Sequence, residues 1–582
     1  MPNIGTTRAP VRTRTSPGET RWTTYWSTRR TAFATECGAA RADLLADLAD
    51  PNGAQARVLE DVVALGADSV HWRERGYDAV ASAAPGAART DAFRRLLPIM
   101  RYEDFIPLVE RETLAKGGIL SCSPVLRWLK TSGTTGSSKR VPYTQHWLTS
   151  YRIPAMQAMW GTYLTLHPEI LDTPYATLDT QTVRDGTADF IEGVAYQAVS
   201  NRHPRLGGLD WNPPWYEAPW MGPDAPTSHE GRMYHRIRHL LGRPLQVITA
   251  INPSTLISLR DLLAEFGDRL VEDLRAGTFD GRPWNEPDAD AADRLRLIVK
   301  DPDFALTDIW PTLRLYSCWL SASAGLYQRK LDKILPGVAR LPFMSCGTEG
   351  VTTLPVDEAT DAQPLAVGQA FFEFVPADVP LGERIAAGKP VRTLLFDEVK
   401  PGADYHLIMS QGNGLYRLWT GDLYRVHRVV DGVPWVSFTR RDGSFHSFTG
   451  EKLTEGQVTD ALRCGFADLG LDMGLYLCGP QWAEPPHYVA VVETRLEDTH
   501  RADEISARVD AVLREINIEY GSKRDSCRLD SIRIHLVPRD AVGAYIENGR
   551  QHGNAAQYKY KPFQADAEFV AAFTGTQGDA RV

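Results

Sequence analysis

From Leu129 to Thr144 the chain reads LKTSGTTGSSKRVPYT. Gly133 and Gly136 stand among Ser132, Thr134, Thr135, Ser137 and Ser138, and the adjacent cations Lys139 and Arg140 follow. Closely spaced glycines let backbone N–H groups converge on an anion, hydroxyls add donors, and a lysine adds charge. That chemistry suits a polyphosphate. The spacing is not that of a Walker A loop, which needs four residues between its glycines and then Lys-Ser/Thr. Here Thr134 and Thr135 alone separate Gly133 from Gly136. The same composition also suits a plain polar loop between strands, so the phosphate reading needs support from elsewhere in the chain.

Two later stretches supply it. SCGTEG spans Ser345–Gly350 and YRLWTGDL spans Tyr416–Leu423. With TSGTTGSSK, they resemble, in the same order, the phosphate loop, the Tyr-Gly-x-Thr-Glu motif and the Tyr-x-Thr-Gly-Asp motif of the adenylate-forming superfamily. That superfamily includes acyl-CoA synthetases, luciferases and adenylation domains. FTRRDGSFHSFTGEKLTE is similar to the hinge and domain-joining segment that follows there. Within the superfamily, GLYRLWTGDLYRV, FTGEKLTEGQV and AAQYKYKPF resemble the Gretchen Hagen 3 family of acyl acid amido synthetases. Auxin–amino acid conjugating enzymes typify that family. The similar patches are collinear from about residue 100 to 562.

The resemblance implies a reaction. A carboxylate attacks the α-phosphate of ATP, releasing pyrophosphate and leaving an acyl adenylate, and the acyl group then passes to an amino acid or another amine. It also implies roles. Ser132, Gly133, Thr134 and Thr135 would cradle the β- and γ-phosphates with Lys139 nearby. Ser345, Gly347 and Thr348 would line the nucleotide, with Thr348 donating to the α-phosphate. Glu349 would hold Mg²⁺, a hard cation that favours carboxylate and phosphate oxygens. Asp422 would accept from the ribose hydroxyls, and Arg441, with Arg440 beside it, matches the hinge arginine. Lys452 belongs to the joining segment. Lys559, with Lys561 as its rival, would swing in to neutralise charge on the reacting groups. The catalytic set is therefore Lys559, Thr348 and Glu349. The chain departs from the family at Ser345, where the family carries the tyrosine that stacks on adenine, and Phe343 or Met344 are the nearby substitutes.

These residues need a framework. LQVITAINPSTLISLRDLLAEFGDRLVEDLRAGTF reads as a buried strand, a turn and a long amphipathic helix, and LRLYSCWLSASAGLYQRKLDKILPG repeats that order. Alternating strands and helices imply layered α/β structure. From about residue 366 short strands split by turn residues predict an antiparallel sheet or barrel: GQAFFEFVP, RTLLFDEV, DYHLIMSQ, LYRLWTGDLYRVHRVV and VPWVSFTR. Past RRDGS the pattern returns to α/β. The expected fold class is α/β: a large N-terminal adenylate-forming domain of layered sheets plus a β-rich subdomain, and a smaller mobile C-terminal α/β domain. The expected division is a disordered arm over 1–20, a substrate-binding domain over 21–440 and a closing domain over 445–575.

Composition narrows the function class. A net charge of -9 over 582 residues does not argue for a nucleic-acid partner, which would normally show as a basic face. No apolar run approaches the roughly 20 residues that cross a bilayer. The N-terminus lacks an apolar secretory core and reads as an arm rather than an organelle transit peptide. Seven cysteines are scattered with no CxxC pair, which fits a reducing, cytoplasmic setting without a disulfide frame or zinc site. His235 and His239 stand one helical turn apart, but Arg236 occupies the position where a metalloprotease needs Glu, so a polar helix face is expected. Trp211, Trp215 and Trp220 on a proline-rich stretch suit either an acid-pocket lid or a self-packed loop. The expected partners are a small carboxylic acid and an amine, with no membrane or nucleic acid. The alternative product is a thioester on CoA or a carrier, and a nucleotide-binding protein without catalysis is a third reading.

Overall fold

The computed structural model describes the chain apart from residues 1–16, 131–139, 173–174, 179–180, 183–188, 199–200, 203–212, 214–217, 219–225, 227, 242, 252, 322–324, 326, 442–444, 447, 449–450, 452, 526–528, 552–559, 565 and 575–582. Trp211, Trp215 and Trp220 therefore lie outside the described residues.

Two helices open the fold, α1 (Pro17–Ala49) and α2 (Pro51–Ala67). The break between them is local chemistry. Asp50 accepts a hydrogen bond from the Gly53 backbone N–H at 3.0 Å, and Pro51 sits at the first helical position, where its missing N–H costs nothing. α1 starts within the stretch expected to be an arm and packs along the helix Ile153–Leu166 through Phe33, Cys37 and Ala40.

Helix α3 (Tyr102–Ala115) leads to β1 (Val125–Lys130) and β2 (Arg140–Thr144). These two strands pair antiparallel, and β1 also pairs in parallel with β4 (Val194–Ala198). Helix α4 (Ile153–Leu166) follows β2 through a π-helical turn at Leu148–Arg152.

A second sheet is wholly parallel, in the order β7-β6-β5-β3, from β3 (Tyr175–Thr177), β5 (Val247–Thr249), β6 (Leu315–Ser317) and β7 (Ala339–Leu341). Helix α5 (His229–Leu240) precedes β5, and α8 (Gln328–Ile334) joins β6 to β7. The long helix expected after β5 is two helices, α6 (Pro253–Glu265) and α7 (Gly267–Ala276). Glycine at 267 leaves room for the Val299 side chain, which would lie 2.9 Å from a Cβ there.

His235 and His239 on α5 are packed rather than ligating. Their rings lie 4.6 Å apart, and His239 meets Trp284 at 4.7 Å and Phe279 at 5.7 Å. Burial, with His235 and two arginines nearby, drives the His239 pKa far down, so the ring stays neutral. Among the described residues no group of three or more His, Cys, Asp or Glu could hold a metal.

The antiparallel sheet runs β8-β12-β11-β10-β9, from β8 (Gln363–Pro364), β9 (Phe371–Pro376), β10 (Asp404–Ser410), β11 (Leu418–Val430) and β12 (Val433–Arg441). The expected strand at RTLLFDEV does not form. Only Leu394 bridges to Phe374, because Pro390 precedes the segment and the Leu395–Glu398 turn ends it.

The C-terminal part holds α9 (Glu455–Asp468), β13 (Tyr476–Gln481), β14 (His487–Thr494), α10 (Ala502–Ile516), β15 (Arg533–Pro538) and α11 (Ala541–Gln551). Its sheet order is β13-β14-β15. Strand alternation gives it two apolar faces. Tyr476, Cys478, Ala490 and Val492 pack under α9 and α10, whereas Leu477 and Val491 join the main N-terminal core. Lys330 pairs with Asp540 at 2.6 Å across this junction, and Arg329 pairs with Asp472. The six described cysteines are all free thiols. No described helix is long and apolar enough to cross a membrane.

Candidate active site

Strands β1 and β2, which flank the glycine–hydroxyl stretch in sequence, pair up to Lys130 opposite Arg140. Ser132, Gly133, Thr134, Thr135 and Lys139 lie outside the described residues. The hairpin's base is fixed from below. The Arg140 N–H donates to the Tyr102 hydroxyl at 2.6 Å, and that hydroxyl donates to the Arg140 carbonyl at 2.7 Å.

Ser345, Gly347, Thr348 and Glu349 form a tight turn just past the carboxyl end of β7. The Gly347 N–H donates to the Gly350 carbonyl at 2.9 Å, and Cys346 bridges Val351. A Cβ at Gly350 would lie 2.5 Å from the Gln411 amide nitrogen, so a side chain there would displace that amide. Asp422 is half-buried on β11, opposite Arg441 on β12. Its backbone N–H donates to the Thr420 hydroxyl at 3.1 Å. The Arg441 side chain, Lys452 and Lys559 lie outside the described residues.

One segment ties the hairpin to the turn. Gln411 directly follows β10, and its carbonyl oxygen accepts from Trp147 Nε1 at 2.9 Å while its amide donates to the Glu349 carbonyl. Asn413 Nδ2 also donates to the Glu349 carbonyl at 3.4 Å. Thr144, the last residue of β2, donates through its hydroxyl to the Gly412 carbonyl at 3.1 Å. Gln411 and Asn413 are almost fully buried, so their amides fix this geometry in a dry site. Stretches far apart in sequence meet here. Sequence reasoning missed Gln411 and Asn413, although their setting, QGNG directly before LYRLWTGD, is a glycine-flanked amide pair of the kind that reaches backbone groups.

A cation was also missed. Arg152 ends the π-helical turn, and its Nη1 donates to the Gly347 carbonyl at 3.4 Å. Burial opposes its charge, and Tyr143, Cys346 and Glu349 around it more than offset that. No spacing rule points to it, because the π turn is what carries it to the motif.

The capping of α9 positions the segment that carries Lys452. The Thr454 hydroxyl accepts from the Gln457 N–H at 3.2 Å, and the Gln457 side chain accepts from the Thr454 N–H at 3.2 Å. Buried Glu451 anchors the other side: its Oε1 accepts from Tyr488 OH at 2.6 Å and from the Phe448 N–H at 2.8 Å.

Of the two expected substitutes for the missing tyrosine, Met344 is excluded. It is 2% exposed and belongs to the main core. Phe343 and Ser345 both line a cleft between the carboxyl ends of β6 and β7 and the antiparallel sheet. A groove lined by Arg30, Thr35, Leu171 and Asp172 bears none of the motif residues.

The sequence matches the GH3 family N-terminal domain over residues 40–340, the central domain over 364–441 and the C-terminal domain over 457–568. The chain belongs to the GH3 family. Among its relatives is the probable indole-3-acetic acid-amido synthetase GH3.4 of Oryza sativa subsp. japonica, 27% identical over 493 residues, or 76% of this chain and 74% of that protein. The 4-substituted benzoates-glutamate ligase GH3.12 of Arabidopsis thaliana is 21% identical over 447 residues, or 71% and 74%. The solved structure of AtGH3.15 acyl acid amido synthetase in complex with 2,4-DB shares the GH3 fold. Its TM-score is 0.76 at 17% identity, covering 93% of this chain and 96% of that one. A larger N-terminal and a smaller C-terminal α/β part thus make up a GH3 architecture, as the sequence led one to expect.

Proposed function

We propose that the protein is an ATP-dependent acyl acid amido synthetase. It adenylates a carboxylic acid with release of pyrophosphate and transfers the acyl group to an amino acid or another amine. The observation that carries this reading is the convergence of the β1–β2 hairpin, the Ser345–Gly350 turn and the segment leading to Asp422 through Gln411 and Asn413, in a chain of the GH3 family. Relatives named as amido synthetases and a glutamate ligase support amide formation over thioester formation.

In this reading Ser132, Gly133, Thr134, Thr135 and Lys139 hold the β- and γ-phosphates. Thr348 donates to the α-phosphate, Asp422 accepts from the ribose, and Arg441 and Lys452 complete the nucleotide site. Arg152, held at the Gly347 carbonyl, would in this reading meet the negative charge of the reacting carboxylate and α-phosphate. Positioned charge and donors of this kind are the main source of rate in phosphoryl and acyl transfer. Mg²⁺ suits the site: Glu349 is the motif's one carboxylate, and phosphate oxygens would supply the remaining ligands. The ion would screen the phosphate charge. The C-terminal domain, over 445–575, would close on a hinge near 441–444 and deliver Lys559 or Lys561. A cytoplasmic location accords with the free, scattered cysteines.

Pyrophosphate release with ATP and Mg²⁺, over a panel of acids tested alone, with amino acids and with CoA, decides the matter. Release that rises with an amine and yields AMP plus an amide supports the reading. Release stimulated only by CoA moves the protein to the thioester class.

A further inference from the structure

The chain lacks the family's aromatic residue at 345, and the cleft beside Ser345 carries three half-buried rings instead, Phe343, Trp319 and Phe438. Trp319 lies just past the carboxyl end of β6, held by its backbone N–H, which donates to the Ile251 carbonyl at 3.0 Å. Its ring meets that of Phe438, on β12, with centroids 5.4 Å apart and planes at 50°. Phe438 is the register partner of Tyr424, two residues beyond Asp422. Ser345 faces the same cleft, and its Oγ lies 2.8 Å from the Tyr424 hydroxyl, which also donates to Thr352 Oγ1 at 3.3 Å. The hydroxyl pair closes the place where a larger ring would stand.

The position accords with a general rule. Ligands of parallel α/β sheets bind outside the carboxyl ends of the strands, and this cleft opens at the ends of adjacent β6 and β7. The closed cleft encloses only about 30 Å³, so a purine enters by parting Trp319 from Phe438.

The cleft wall also holds an unsatisfied acceptor. Gln363 is 5% exposed on β8, and its amide nitrogen donates to the Ala359 carbonyl, which orients the side-chain oxygen. Among the described residues that oxygen has no hydrogen-bond partner. A buried orphan acceptor is costly, and a ligand N–H is one remedy.

We infer that Trp319 is the adenine platform of this chain, replacing the aromatic ring absent at Ser345, and that Gln363 Oε1 accepts from the exocyclic amine of the base. This rests on the ATP reading above. Trp319 can present a π-face to the purine, with Phe438 bounding the slot, and stacking of this kind is indifferent to which purine is bound. The Gln363 oxygen adds the discrimination: it accepts from an amino group at the 6-position and repels a carbonyl there.

The test is equilibrium binding of ATP and ITP, and inhibition by tripolyphosphate, on the full chain and on W319A, W319F and Q363L. W319A is expected to weaken ATP and ITP alike by about tenfold or more, with W319F recovering most of the loss. Tripolyphosphate inhibition should not move, because it needs only the phosphate contacts. Q363L should narrow the preference for ATP over ITP. ATP binding by W319A equal to that of the unaltered protein overturns the platform, and parallel loss of tripolyphosphate inhibition does the same by showing a general collapse. An unchanged ATP-to-ITP ratio in Q363L overturns the amine contact. An unaltered protein that binds no ATP removes the nucleotide reading itself, a result distinct from either.

Discussion

Arg417 forks onto Glu373 below the nucleotide motif, with Nε 2.8 Å from one carboxylate oxygen and Nη2 2.7 Å from the other. Both side chains are sealed from water, at 4% and 0% exposure. Thr393 donates to the same carboxylate at 2.6 Å, and Arg417 Nη1 donates to the Arg94 carbonyl at 2.5 Å. The backbone at Arg417 adopts φ 49°, a left-handed conformation that non-glycine residues rarely take. Its N–H donates to the Ser410 hydroxyl at 2.7 Å, so side chain and backbone together hold the bend that starts β11 and sets Asp422.

Removing Arg417 leaves the buried Glu373 carboxylate with only the longer ion pair to Arg94 Nε at 3.7 Å. R417M should therefore lower unfolding free energy by about 3–5 kcal/mol. Replacing both partners by apolar residues of similar volume should cost far less. Denaturant melts of R417M, E373L and the double variant test this. Equal losses in single and double variants would show that the fork is not the source.

At Asp422 the expected loss is one of binding. D422A should weaken ATP by roughly tenfold to a hundredfold, the range for a lost hydrogen bond to a charged group. The protein should then no longer distinguish ATP from its 2′- and 3′-deoxy analogues. Isothermal titration with each nucleotide gives the answer, and a variant that still penalises the deoxy sugars would place the ribose elsewhere.

Much of this arrangement was legible in the sequence, for identifiable reasons. Short apolar runs split by turn residues marked β9 to β12, and the C-terminal strands alternate with helical stretches. The Ser345–Gly350 stretch forms the loop past a strand end that its glycines suggest, whereas Thr420–Asp422 lies within β11. What stayed hidden depends on tertiary contact. RTLLFDEV has strand composition, yet Pro390 and the Glu398 turn leave it a single bridge to Phe374. Arg152, Gln411 and Asn413 act through backbone carbonyls of a loop 195, 62 and 64 residues away, and no local pattern reports such a contact. Trp319 could be seen only once the missing ring at Ser345 had a cleft around it.

For Arg152 the expected effect is on turnover. R152A removes a cation aimed at the Gly347 carbonyl beside Glu349. It should cut the adenylation rate about a hundredfold, the scale for one preorganised donor at developing charge. Lysine keeps the charge but loses the planar fork, so R152K should recover only part. Acid-dependent pyrophosphate exchange measures this half-reaction directly. Unchanged exchange in R152A with a defect only in amide formation would move Arg152 to the second step.

The last prediction concerns pH. Glu455, the first residue of α9, is half-buried beside Tyr476 and Tyr560, and burial lifts its pKa from an ordinary 4.5 to about 7, with Lys561 pulling the other way. An acid whose folded pKa is raised binds its proton more tightly when folded. Its contribution to stability is therefore complete below about pH 4.5 and is lost as pH rises through about 7. The unaltered protein should lose stability across that window relative to E455Q, which carries no titrating group there. Denaturation midpoints of the two proteins at pH 5 and pH 8 measure the difference, and parallel profiles would remove Glu455 as the source. The same titration bears on closure. Above about pH 7 the ionised carboxylate holds Lys561 more strongly, which withholds that lysine from any other partner. If Lys561 rather than Lys559 is the lysine delivered on closure, E455Q should raise adenylation at pH 8 and leave it unchanged at pH 5.5. A rate that is equal in both proteins at pH 8 would favour Lys559.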